Sequence, residues 1–229
     1  MTFAERGLNP FVVPGYEQYP DRALCPWSEK TREHTSYYCK EVGNMGVAFE
    51  QFRTSVGDCN GIRDDGQIVV VTGPERSGKT SLINLCVHWL QEKFQETNCI
   101  IVDATRARRE GMTIDERFKY VRTRLSSQLR REQLDDWLQE DIRASDDRDA
   151  FFVLLSDHVY KAYYQAQKIF VILWPSLESD VAEEEITMYA SGVVQPGLVF
   201  FFEYSTARPV PHYPQIPPPI QLQLSHLKQ

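Results

Sequence analysis

The chain has 229 residues, a formal net charge of −7 and a sequence pI near 5.3, with 42% hydrophobic and 25% charged residues. That length supports one sizeable buried core, and the acidic balance argues against nonspecific nucleic-acid binding by the protein as a whole. No apolar stretch approaches the roughly 20 residues needed to span a bilayer and the N-terminus lacks a basic segment followed by an apolar one, so a soluble cytoplasmic protein with no membrane association is expected.

Residues 1–39 carry Pro10, Pro14, Pro20 and Pro26 among aromatics, which predicts an extended segment lying over a folded body. Cys25, His34, Cys39 and Cys59 fall in or near it, but their spacing lacks the close ligand pairs of structural zinc sites. The five cysteines are odd in number and form no CxxC pair, so reduced thiols are the expectation, with Cys86 and Cys99 in buried positions. Next, Val42, Met45, Phe49, Phe52 and Val56 recur at helical spacing and predict one apolar helix face. Asp64, Asp65 and Gly66 then turn the chain into the apolar run Ile68, Val69, Val70, Val71, a buried strand.

Residues 73–80 read Gly-Pro-Glu-Arg-Ser-Gly-Lys-Thr, between that strand and a helical pattern containing Leu82, Ile83, Leu85, Cys86, Trp89, Leu90 and Phe94. This is the P-loop pattern, and it points to phosphate chemistry. Gly73 and Gly78 permit the bends that let successive amides face a polyphosphate, with Pro74, Glu75, Arg76, Ser77 and Ser81 supplying the rest of the cradle. Lys79 neutralises the outer phosphates, and Thr80 offers its hydroxyl to Mg2+ at the positive end of the helix that starts there.

Further apolar runs predict strands at 99–103, ending in Asp103, at 169–173, stopping at Trp174 and Pro175, and at 198–204. Helical patterns lie between them at 113–131, 133–143, 149–166 and 179–191, and Ile220, Leu222 and Leu224 alternate as a last short strand after a proline-rich linker. The alternation predicts an α/β fold, a mostly parallel sheet with helices on both faces.

In this order the elements resemble the AAA-like P-loop ATPases, and among them the STAND group of signal-transducing NTPases. The likeness covers roughly residues 40–227 and implies a three-layer P-loop NTPase domain over 40–229. It implies ATP and Mg2+ as cofactors, and a sensor segment in which Thr206 or Arg208 faces the terminal phosphate. In active members of the family the third strand ends in two acids, one for the Mg2+ shell and one for the attacking water. Here Trp174 and Pro175 stand at that place, with Glu178 and Asp180 just beyond and Glu203 near the end of the next strand as displaced candidates. The family also carries a helical lid after its last core strand. This sequence ends soon after Leu227, so a bound nucleotide is expected to be exposed unless another subunit or the N-terminal segment covers it.

Two alternatives stay open. One is an adaptor or structural subunit with a vestigial P-loop. The other is a small-molecule or nucleotide kinase in which Asp103 holds the metal, which requires the strand of Asp103 to lie directly beside that of Val69–Val71. No Asn-Lys-x-Asp run for guanine recognition occurs, which favours adenine.

Between 106 and 131 lie nine basic residues: Arg106, Arg108, Arg109, Arg117, Lys119, Arg122, Arg124, Arg130 and Arg131. The following stretch to Asp149 is mainly acidic. Such a dipolar pair suits internal pairing or a protein–protein interface, including self-association, ahead of a nucleic-acid groove.

Overall fold

The computed structural model describes residues 44–57, 62, 65–75, 77–95, 98–104, 113–131, 148–174, 177, 186, 195–205 and 219–225. In chain order the elements are α1 (Met45–Val56), β1 (Gln67–Gly73), α2 (Lys79–Phe94), β2 (Cys99–Asp103), α3 (Ile114–Arg131), α4 (Arg148–Ala166), β3 (Ile169–Leu173), β4 (Leu198–Ser205) and β5 (Ile220–Gln223). The N-terminal segment, its candidate zinc ligands, and the helical patterns at 133–143 and 179–191 lie outside the described residues.

The strands form one sheet in the order β2-β3-β4-β1-β5, and every pair is parallel. Parallel strands need both faces covered, which is why these segments are continuous apolar runs rather than alternating ones. One face carries Val70, Phe170, Ile172, Phe200 and Phe202 against α3 (Phe118, Val121, Leu125) and α4 (Leu155, Val159). The other carries Val69, Val171, Val199 and Phe201 against α1 and α2. The result is an α/β fold with helices on both faces of a five-stranded sheet.

On α1 the buried seam is Met45, Ala48, Phe52 and Val56. Phe49, expected on that face, sits at its margin under the Arg53 guanidinium, 5.9 Å from the ring centroid. The 3-4-4 spacing of the seam residues fixes the helix rotation and leaves Phe49 one step around.

The same helix guards the sheet edge. Asn44 Nδ2 donates to the Gln223 carbonyl (2.7 Å) and Gln51 Nε2 to the Gln221 carbonyl (3.0 Å), while Asn44 Oδ1 accepts from the Ser225 amide (2.9 Å). These side chains occupy backbone groups that an unprotected edge strand would offer to another chain.

Gly197 leads into β4 with φ +82°, and a Cβ there would lie 2.8 Å from the Tyr163 side chain. Gly197→Ala is therefore expected to cost about 1–3 kcal/mol, from left-handed strain plus the clash, read as a lower urea midpoint at unchanged slope.

Cys86 and Cys99 are buried thiols outside any disulfide. Burial pushes the Cys99 thiol from its ordinary 9.0 up to about 12. The folded state thus favours the neutral thiol: the contribution to stability is complete below pH 9 and is lost as pH rises toward 12. Native protein at pH 8 should leave Cys99 unalkylated by a thiol reagent that labels it once unfolded.

Candidate functional site

At the end of β1, Gly73 adopts φ +155°, and a Cβ at this position would stand 2.8 Å from both the Leu224 carbonyl oxygen and Ser77 Oγ. Only glycine fits this approach. The chain bends back at once, with the Ser77 amide donating to the Pro74 carbonyl at 3.3 Å. Gly78 is left-handed, φ +88°, and begins α2 without a side-chain cap. A helix start that no side chain caps presents amide groups and positive potential outward, the usual setting for an anion.

Three side chains converge on this turn. Lys79 is buried, 5% exposed, and its Nζ donates to the carbonyls of Pro74 (2.8 Å) and Gly73 (3.2 Å). Ser77 Oγ is also buried, with no hydrogen-bond partner among the described residues. A buried hydroxyl left unsatisfied costs on the order of 1–3 kcal/mol, so its persistence inside the loop marks a position suited to an acceptor from outside the chain. Thr80 Oγ1 donates to Glu203 Oε2 at 2.9 Å.

Glu203 reaches Thr80 because of register. β4 lies directly beside β1, with Val71 opposite Glu203, and Val199, Phe201 and Glu203 alternate onto the sheet face that α2 covers. Glu203 is 8% exposed and makes no ion pair among the described residues.

The end of β3 carries no acid. Leu173 is its last residue on the α2 face, and Trp174 turns to the opposite face, where its ring packs with Phe202 (5.9 Å between centroids) and Phe200 (6.4 Å). Trp174 therefore does not line the loop at all.

Not every candidate is drawn in. β2 is an edge strand, and β3 and β4 separate it from β1. Asp103 pairs in register with Leu173, far from Thr80, and its carbonyl accepts from Arg124 Nε at 3.0 Å. The arrangement that the kinase alternative requires, β2 beside β1, is not formed, because two strands intervene. Glu75 is exposed on the loop and Ser81 is buried one residue past Thr80. Arg76, Glu178, Asp180, Thr206 and Arg208 lie outside the described residues.

Of the basic stretch, α3 turns part of its charge inward. Arg117 is buried, Arg124 is engaged with Asp103, and the Arg122 guanidinium lies 5.8 Å from the Phe118 ring centroid. Among the described residues, no helix is long and apolar enough to cross a membrane.

The residues that meet here sort by charge. The helix start, Lys79 and Ser77 offer donors of the kind an anion takes, whereas Thr80 and Glu203 offer hard oxygens of the kind a cation such as Mg2+ takes. Among the described residues, no group of three or more His, Cys, Asp or Glu side chains could hold a metal. The Thr80–Glu203 contact joins residues 123 positions apart, and strand parity with the β1–β4 register is the signal that locates it. No protein-family model matches the chain, and no curated protein matches it.

Proposed function

We propose that the chain is an ATP-binding protein of the P-loop class, akin to the AAA/STAND ATPases. It works as a nucleotide-dependent switch or subunit within a larger assembly, and its hydrolysis is slow or partner-dependent. The observation that carries this reading is the turn at 73–80, where the buried Lys79 ammonium and the unpartnered Ser77 hydroxyl meet an uncapped helix start. Lys79 exchanges its two loop carbonyls for phosphate oxygens, the backbone amides and Ser77 donate to the same group, and Thr80 turns its hydroxyl to the accompanying Mg2+. When bound, the nucleotide–metal pair supplies the polarised phosphate. The chain's own part is to bind and orient it.

Slow turnover follows from the end of β3, which presents Leu173 and not a carboxylate to the α2 face. A water-orienting acid is worth several powers of ten in phosphoryl transfer, and its absence from β3 favours holding nucleotide over spending it. The same observation favours, as the second reading, an adaptor whose loop binds nucleotide statically. Partners are proteins, another copy of this chain included. The implied compartment is the cytoplasm, where ATP is abundant and reduced buried thiols such as Cys86 and Cys99 persist.

Labelled ATP and GTP, titrated with and without Mg2+, test the reading, followed by a hydrolysis assay on the same sample. Saturable ATP binding that Mg2+ strengthens, with turnover slow or absent, is the expected result. Turnover at ordinary ATPase rates by the chain alone contradicts the switch. Absence of binding contradicts the nucleotide site.

A further inference from the structure

The geometry points to Glu203 as the carboxylate of the magnesium site, supplied from β4 instead of from the end of β3, an inference that rests on the nucleotide reading of residues 73–80. Three observations carry it. Glu203 Oε2 already accepts from Thr80 Oγ1 at 2.9 Å, so both oxygens stand where one cation can face them. Glu203 is 8% exposed and has no ion-pair partner among the described residues, and a buried carboxylate without a counter-charge is costly unless something cationic visits it.

The third observation is strand geometry. β4 adjoins β1 directly, and Val71 pairs with Glu203 two residues before Gly73, so a glutamate side chain spans the gap to the first turn of α2. β3 lies one strand further out, and its last residue on this face is Leu173. An acid there would have to reach across β4, past Phe201, which pairs with Leu173. Moving the acid to β4 leaves one carboxylate for the metal shell and none on β3 for the attacking water. Mg2+ sites that hold nucleotide ordinarily use one or two carboxylates together with the phosphates, so a single glutamate suffices for binding.

The test compares ATP affinity with and without Mg2+ for the wild type and Glu203→Gln, alongside the relaxation enhancement of Mn2+ held with ATP on the protein. In the wild type Mg2+ tightens ATP binding. In Glu203→Gln the ratio of the two affinities falls by roughly 10- to 100-fold and the Mn2+ enhancement drops with it. Metal-free ATP, relieved of a neighbouring negative charge, binds more tightly than to the wild type. A merely structural Glu203 would lower both affinities together. Should the Gln variant fail to fold, Glu203→Asp keeps the charge but withdraws it from Thr80, and the ratio falls there too. An unchanged ratio in a folded variant, or a parallel loss of both affinities, overturns the role of Glu203 while leaving the loop's nucleotide site intact. No ATP binding to the wild type in either condition overturns both.

Discussion

Lys79→Ala is expected to weaken ATP binding on the order of 100-fold, with little change in fold stability. The ammonium is buried and directed at its own loop, on the carbonyls of Gly73 and Pro74. A phosphate replaces these neutral acceptors with charged ones, and a charge-assisted hydrogen bond is worth about 1.5–3 kcal/mol, which is one to two powers of ten in affinity. Stability responds less, because truncation also removes the desolvation cost of a buried charge, which offsets the donor lost by the Gly73 and Pro74 carbonyls; a change within about 1 kcal/mol follows. Calorimetric titration measures the first quantity and urea denaturation the second. A variant that binds ATP as tightly as the wild type would show that nucleotide, if bound, sits elsewhere.

Trp174→Asp is expected to unfold the domain, although the family resemblance would make it the restoration of a missing acid. Trp174 is 1% exposed and packs with Phe200 and Phe202 in the core opposite α2. Removing a buried tryptophan costs about 3–5 kcal/mol, and an unpaired carboxylate at the same place adds several more, together a large share of a typical domain's stability. Loss of the cooperative transition in circular dichroism checks this. A folded, more active Trp174→Asp would mean that position 174 faces the loop after all.

The strands were readable because a sheet buried on both faces demands unbroken apolar runs, and Ile169–Leu173 and Leu198–Tyr204 are such runs. The loop was readable because Gly73, Gly78, Lys79 and Thr80 are contiguous. Which face Trp174 takes was not. A continuous apolar run such as Ile169–Leu173 carries no alternation by which to assign it, and only the packing of Phe200 and Phe202 against Trp174 decides it. Phe49 illustrates the same limit at smaller scale: helical spacing admits both Ala48 and Phe49 on one face, and the contact with the sheet selects Ala48. The pairing of Glu203 with Thr80 depends on β4 lying beside β1 in a particular register, a long-range property with no local sequence signal. Asp103 is a metal ligand only in the kinase alternative, and strand order, which sets it at the far edge, has no local signal either.

Thermal denaturation of the wild type and Lys79→Ala in parallel, with and without saturating ATP and Mg2+, tests most directly whether the turn at 73–80 is a nucleotide site. A ligand that binds only the folded state at about 100 times its Kd adds about 2.7 kcal/mol, which for a domain of this size is a rise of roughly 5–10 °C in Tm. The wild type should show that rise and Lys79→Ala should lose most of it. An unmoved wild-type midpoint, or an equal rise in both proteins, would contradict nucleotide binding at this loop.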